Sequence, residues 1–278
     1  MHRRSDPLQP GEGMLQLSLV AGRSEVVRAA ATSPLKLLMP RRPGNAAWIY
    51  TSTYGGGLVA GDDIGLRLRL GAKTTCVVGT QSTTKVYKSR GGRTTRQTMT
   101  AIVGDGALLV VAPDPVSCFA GARYEQRQRI ELHRGGALVV VDWFTSGRRC
   151  RGEQWEMNRY SSRLEVTFDD RLVLADAWRL SPEDGRLDSP FRLSRFHCAA
   201  ALVLVGTPLA EVASGMLVDS SRMSIAPDAP LVEAGSPIPH GMVLRLLGET
   251  PEQVGRRLAE RLSFLAGQLG ETPWSRKW

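Results

Sequence analysis

The chain has little of the chemistry that usually marks an enzyme or a metal store. Its 278 residues include only 4 cysteines and 4 histidines. Cys76, Cys118, Cys150 and Cys198 lie 42, 32 and 48 residues apart with no C-x-x-C pair, so neither a zinc knuckle nor a disulfide framework is expected and the thiols are read as reduced. His2, His133, His197 and His240 are isolated, and neither H-E-x-x-H nor G-x-S-x-G occurs, which excludes the zincin and nucleophile-elbow signatures. His197 and Cys198 are neighbours, but adjacent side chains on a strand point to opposite faces and do not share one metal. Aromatics are 6%, thin for sugar platforms or base-stacking surfaces. No run approaches the ~18–20 apolar residues of a membrane span, since the longest, Ala107 to Ala112 and Ala199 to Val205, are strand-sized. A transmembrane role is therefore not expected.

The N-terminal residues Met1 to Pro7 are basic but lead into Pro10-Gly11-Glu12-Gly13, not into the apolar core of a secretory signal. A cytoplasmic protein is expected, with residues 1–13 flexible. Lys and Arg number 36 against 27 Asp and Glu, a net charge of +9. The basic residues are dispersed, not clustered with aromatics, so they point to an acidic partner surface more than to nucleic acid.

What the chain does have is β-strand pattern. Leu15-Gln16-Leu17-Ser18-Leu19 and Ile64 to Leu70 alternate strictly, as half-buried strands do. Leu164 to Phe168 alternates too, and Asp169-Asp170 supplies a turn into Leu172-Val173-Leu174, which reads as a hairpin. A weak repeat runs through the middle: Gly71-Ala72 before Cys76-Val77-Val78, Gly106-Ala107 before Leu108 to Val111, and Gly136-Ala137 before Leu138 to Val141, spaced by 35 and then 30 residues. Glycine turns feeding continuously apolar strands at that period indicate stacked layers. The polar segment Arg123 to His133 is read as an exposed strand between layers.

Helix is expected only late. Thr207-Pro208 offers a cap before Leu209, Val212, Ala213, Met216 and Leu217 at helical spacing. Thr250-Pro251-Glu252-Gln253 has capping-box spacing, Val254, Leu258, Leu262, Leu265 and Leu269 form an apolar stripe, and Gly270 can end it. Ser181 to Ser189 and Ala226 to Pro239 read as loops. The expected fold is mainly β: layered β-sheets with a β-helix-like winding, plus two or so α-helices in the C-terminal part, in one domain over 1–278.

Two glycine motifs are tested and set aside. Gly55-Gly56-Gly57-Leu58-Val59-Ala60-Gly61 precedes a strand, not a helix, and Asp62-Asp63 would repel phosphate; Gly55, Gly56, Gly57 and Gly61 are read as a turn that only glycine permits. Gly79 to Lys85 lacks the second glycine of a P-loop. Carboxylates beside apolar strands carry more weight: Asp62, Asp63, Asp142, Glu153 and Asp176. Burying such a charge costs several kcal/mol unless it is paired or solvated. Three readings stand open: structural pairs with Arg148, Arg149 or Arg151, a hydrated passage for a divalent cation, or an acid/base pair of an all-β carbohydrate-active hydrolase. A basic nucleic-acid-binding module is a further alternative.

Four segments in order resemble one family: Tyr54 to Asp62, Thr80 to Tyr87, Pro113 to Tyr124, and Gly147-Arg148 with Arg151-Gly152-Glu153. They are similar to the urease accessory protein UreD (UreH) family from about residue 14 to about 265, departing at Cys118, where the family commonly has proline. The resemblance implies a non-enzymatic scaffold or chaperone in a hetero-oligomeric complex with UreF, UreG and the urease apoprotein, with UreG supplying GTPase activity. It implies help with nickel insertion and no tightly bound cofactor, nickel being only in transit. A water-filled passage would have Asp62, Asp63, Asp142 and Glu153 as transient nickel contacts and Thr84 and Lys85 in its lining. Oxygen donors release nickel quickly, whereas imidazole or thiolate cages would hold it, so scarce His and Cys suit a conduit. The tail Pro273 to Trp278, with two tryptophans, is either a partner anchor or a docked terminus.

Overall fold

The computed structural model describes residues 7–223 and 225–275. Strands alternate between two sheets. In the first sheet β1 (Glu12–Val20) and β2 (Arg23–Ala31) pair antiparallel, and in the second β3 (Leu35–Leu38) pairs with β4 (Ala47–Thr53). Successive coils follow: β5 (Asp63–Leu70) in the first sheet, β6 (Thr75–Thr80) and short β7 (Thr84–Val86) in the second, then β8 (Thr95–Val103), β9 (Leu108–Val111) and β10 (Val116–Cys118), then β11 (Arg123–Leu132) and β12 (Ala137–Thr145). β13 (Arg159–Phe168) and β14 (Arg171–Leu180) complete the first sheet. The second is finished by β15 (Cys198–Val205), helix α1 (Ala210–Arg222), β16 (Leu231–Ile238) and β17 (Gly241–Gly248), with α2 (Pro251–Arg261) and α3 (Ala266–Leu269) at the end.

The winding is that of a two-sheet solenoid. β1, β5, β8, β11 and β13 are parallel neighbours in the 7-stranded first sheet, and β4, β6, β9 and β12 are parallel neighbours in the 10-stranded second. The three glycine-led apolar runs are the stacked strands of the second sheet: Thr75 pairs with Leu108, and Leu108 with Ala137. A Cβ on Gly71 would lie 2.9 Å from the Leu17 carbonyl oxygen, so the corner between layers leaves no room for a side chain.

The difference between the alternating and the continuously apolar strands has a packing cause. The second sheet is covered on both faces. Leu138 and Val140 of β12 face the first sheet, while Val139 and Val141 join the layer of α1 and α2, and every residue of β12 is buried. Burial of each such side chain stabilises by about 1.5–3 kcal/mol. The first sheet keeps one face in solvent, so β5, β11 and β13 alternate. Arg123–Leu132 is accordingly only half exposed: Tyr124, Gln128, Ile130 and Leu132 point inward and are buried. The expected exposed strand is corrected to a core strand with one polar face.

The β13–β14 hairpin forms as expected, with Asp169 and Asp170 both at positive φ, 46° and 61°, the mirror-image turn that matches strand twist. Elsewhere the structure differs. Thr207 does not cap α1; Thr207–Leu209 is a 3-10 turn and α1 begins at Ala210 with no side-chain cap. The second stripe splits at Leu262 into α2, a 3-10 turn and α3, although Thr250 and Gln253 do form the capping box and Gly270 ends α3 in the left-handed conformation. Ala226 to Pro239 holds strand β16. Its Gly235-Ser236-Pro237 interrupts any apolar pattern, and Pro237 is tolerated because β16 is an edge strand.

β1 starts at Glu12, inside the stretch expected to be flexible, and residues 1–6 of that stretch lie outside the described residues. The tail docks through Trp274, whose Nε1 donates to the Ala112 carbonyl at 3.0 Å and whose ring packs 5.8 Å from Trp143; Arg276 to Trp278 lie outside the described residues. The helical layer is locked by Glu233 of β16. Its side chain is fully buried and accepts from Arg257 Nε at 2.8 Å and from Arg261, whose Nη1 also reaches Asp219 at 3.1 Å. Among the described residues no helix is long and apolar enough to cross a membrane.

Candidate functional site

The solenoid interior has two dry ends and a polar middle. Toward the C-terminal ends of β5, β8, β11 and β13 the inward residues are Leu68, Leu70, Ala101, Val103, Ile130, Leu132, Val166 and Phe168, all in one apolar cluster. Toward the other end Tyr124 and Tyr160 join Phe144 and Trp155 in a second. Between them Gln97, Gln126 and Ser162 stand in register across β8, β11 and β13. β12 supplies Asp142 from the facing sheet, at the inward parity between Val140 and Phe144.

These groups form one hydrogen-bonded chain. Tyr124 donates to Gln97 Oε1 at 2.8 Å, with Gln126 Oε1 at 3.0 Å; Gln126 Nε2 donates to Asp142 Oδ1 at 3.1 Å and to Ser162 Oγ at 3.3 Å; the Ser162 hydroxyl donates to Asp142 Oδ2. Asp142 is only 7% exposed, and its hydrogen-bond partners here are neutral. Burial raises its carboxyl above the ordinary value, the hydrogen bonds from Ser162 and Gln126 oppose the rise, and nearby Asp176 adds to it. Burial likewise pushes the Tyr124 and Tyr160 hydroxyls well up.

Beside this chain lies a cavity of about 110 Å³ that opens to the surface at Gln81 and Ser82. Thr51, Thr53, Leu58, Thr80, Thr84, Asp114, Gln97, Gln126, Gln128, Asp142 and Trp143 line it. Asp114 is held by Thr80, which donates to its Oδ2 at 3.0 Å and accepts from its N–H at 2.8 Å. The glycine turn forms part of the wall through Gly56 and Gly57. Gly55, Gly56 and Gly61 have φ of 78°, 68° and 90°, left-handed values that favour glycine. Gly57 is extended and needed for another reason: a Cβ there would lie 2.7 Å from Tyr87 Cε2 and 2.8 Å from the Lys85 carbonyl oxygen.

Of the residues named from sequence, Asp142 and Thr84 line this cavity, whereas Asp62, Asp63, Lys85 and Glu153 do not. Asp62 accepts from the Val59 N–H at 2.8 Å and closes the turn after the glycines. Asp63 opens β5 at the surface, and Lys85 of β7 is exposed. Glu153 is ion-paired with Arg148 and also accepts from the backbone N–H of Arg148 at 3.3 Å and Ala120 at 3.4 Å. The Arg148 hydrogen bond holds its carboxyl below the ordinary value, against an opposing effect of burial. Asp176 pairs with Arg245. Glu153 therefore takes the structural role expected with Arg148, Asp176 is paired with an arginine outside that expected set, and Asp62 is spent on its own turn. Among the described residues no three His, Cys, Asp or Glu gather to hold a metal ion together, and all four cysteines are free.

Gln97, Gln126, Ser162 and Tyr124 were not singled out from sequence. The signal was there: each sits at the inward parity of a strand whose far inward positions are apolar, such as Ile130 and Leu132 on the strand of Gln126. An uncharged polar residue at a core position implies a partner.

Fold and chamber together define a class: a two-sheet β-solenoid with a polar stratum in which a buried carboxylate is hydrogen-bonded by neutral groups. The comparisons with known proteins narrow it. Residues 9–278 match the family described as UreD urease accessory protein. The chain is 44% identical over 269 residues to urease accessory protein UreD of Sorangium cellulosum, covering 96% of this chain and 84% of the relative. It is 40% identical over 271 residues to urease accessory protein UreD of Anaeromyxobacter sp., covering 97% and 90%, and 33% identical over 292 residues to urease accessory protein D of Arabidopsis thaliana, covering 95% and 99%. The chain belongs to the UreD urease accessory protein family.

Proposed function

We propose that this protein serves urease maturation as a non-enzymatic scaffold that binds UreF, UreG and the urease apoprotein and assists nickel insertion, with the interior chamber as part of the nickel route and the GTPase activity residing in UreG. Family membership supports the maturation role. The observation that carries the route is Asp142: a buried carboxylate fixed by an amide and a hydroxyl, at a cavity where threonine, glutamine and carboxylate groups interrupt a lining that is otherwise largely apolar. Hard oxygen donors of this kind bind nickel weakly and exchange it fast. Nickel is the cargo here and not a resident cofactor. The free thiols suit a reducing cytoplasm.

The experiment is co-expression of the urease apoprotein, UreF and UreG with and without this chain, followed by affinity purification on the chain and nickel analysis of the urease. The expected result is co-purification of UreF and UreG and nickel-filled urease only when the chain is present. Equal nickel content without it, or no recovery of UreF, contradicts the reading.

A further inference from the structure

The polar stratum continues past the end of the cavity. In the second sheet Asp142 stands opposite Ala201 of β15, and Ala201 opposite Arg245 of β17. Arg245 lies at the inward parity: Val243 before it joins the apolar cluster between the sheets, Leu247 after it packs on the aromatic cluster, and Leu244 and Leu246 face the helical layer. In the first sheet Asp176 holds the matching position on the edge strand β14, between Leu174 of the one cluster and Trp178 beside the other. Ala201 puts no bulk between the two carboxylates, and Asp176 is near enough to help raise the Asp142 carboxyl. A row of polar groups therefore runs from Asp142 through Ser162 to Asp176 and Arg245 at the sheet edge. Of the four, Asp142 lines the cavity and the others lie beyond it.

Arg245 donates to the Asp176 carboxylate, which has no other hydrogen-bond donor among the described residues. Asp176 is 12% exposed and Arg245 43%. Glu233 is the opposite case: it is fully buried and shared by two arginines at 25% and 9%, so parting that pair would strand buried charge. Arg245 can instead swing its guanidinium into water on its long stem, because a half-exposed ion pair is weakly held. We propose that the Arg245–Asp176 pair is a displaceable seal on the inner end of the chamber, opened when a cation takes the place of the guanidinium beside Asp176. Closed, it leaves the chamber its mouth at Gln81 and Ser82. Open, it turns Asp176, Ser162 and Asp142 into a line of oxygen groups from the sheet edge to the cavity, a second opening suited to a small cation. Exchange of one cation for another keeps Asp176 neutralised throughout, whereas a neutral solute or an anion would leave it bare. The seal rests on the reading of the chamber as a cation route given above.

The test reads access to position 162 in the full chain, with the exposed Cys150 removed by C150S. S162C carries a thiol into the stratum, and its labelling by methyl methanethiosulfonate, a small neutral reagent, is followed by mass spectrometry. S162C is compared with the native pair and with R245A, D176N or R245K added. The native pair is expected to protect the thiol, R245A to speed labelling at least about tenfold, D176N to fall between, and R245K, which can still pair, to stay within about twofold of the native pair. Cys76, fully buried at the dry end, reports general loosening in the same spectra and is expected to stay protected. S82W, which narrows the other mouth, is expected to leave the R245A rate unchanged. Magnesium chloride is expected to speed labelling of the native pair beyond sodium chloride at equal ionic strength, and equal rates overturn the displacement by a cation. Labelling with the native pair as fast as that of Cys150 in the parent chain, no gain in R245A or D176N, a parallel gain at Cys76, or loss of the R245A gain on adding S82W overturns the seal. Circular dichroism establishes folding, and D176N, which keeps the side-chain shape, decides if R245A is unfolded. Each of these failures leaves the nickel route standing; the route falls instead if Asp142→Ala yields nickel-filled urease, a result that does not touch the labelling.

Discussion

Replacing Glu233 by glutamine tests how the helical layer is held on the solenoid. The carboxylate is fully buried and takes hydrogen bonds from Arg257 and Arg261, whose side chains are 25% and 9% exposed. Burial alone would raise its pKa; the hydrogen bonds from Arg261 and Arg257 outweigh that and hold it below the ordinary value. Glutamine keeps the shape but leaves two guanidiniums with no buried counter-charge, a loss of about 3 kcal/mol for breaking a buried pair. At ~2–4 °C per kcal/mol for a domain somewhat smaller than this one, the melting temperature at neutral pH falls by roughly 6–12 °C. The pH dependence fixes the sign. A carboxyl depressed in the folded state contributes stability above its unfolded pKa of about 4.3 and loses it as pH falls through the folded value, so the gap between wild type and variant is full at neutral pH and closes on acidification. Differential scanning calorimetry from about pH 7 down to about pH 2 reads both. A neutral-pH shift under about 2 °C, or a gap that widens in acid, refutes the account of the Arg257–Glu233–Arg261 lock.

Asp142→Asn behaves oppositely. Its carboxyl is raised by burial, so the folded protein binds the extra proton between the ordinary value of about 3.9 and the raised one, and wild-type stability declines as pH climbs across that window. The asparagine variant escapes the decline; its urea midpoint pulls ahead of wild type with rising pH, and parallel midpoints would speak against it. Gly57→Ala places a methyl group 2.7 Å from Tyr87 Cε2 and 2.8 Å from the Lys85 carbonyl oxygen, an overpacking loss of about 1–3 kcal/mol that chemical denaturation measures. An unchanged stability would mean that the turn relaxes freely. Trp274→Ala removes the hydrogen bond to Ala112 and the packing on Trp143, a loss of about 2 kcal/mol at this half-buried site. Limited proteolysis then cuts the C-terminal segment sooner, and an unaltered cleavage rate contradicts the docking.

The layered winding was legible because the continuously apolar runs at Cys76, Leu108 and Leu138 belong to strands covered on both faces, and the alternation at Ile64 to Leu70 to a sheet with one face in water. β16 escaped notice because an edge strand with Gly235 and Pro237 has neither pattern. The chamber was half legible. Asp142 stood out as a charge after three valines, but its partners Gln126 and Ser162 lie 16 and 20 residues away on the strands before and after β12, in the other sheet, and meet it only through the winding. Sequence proximity also misled: Glu153 follows Arg148 closely enough to form a local ion pair and so turns away from the chamber, and Asp62 is used up by its own turn.

The measurement that bears most directly on the proposed route is nickel content per urease active site, by elemental analysis, after maturation with Asp142→Ala in place of the wild-type chain. The account predicts a folded variant that still co-purifies with UreF but yields urease depleted of nickel. Full nickel occupancy with that variant would contradict a path through the chamber.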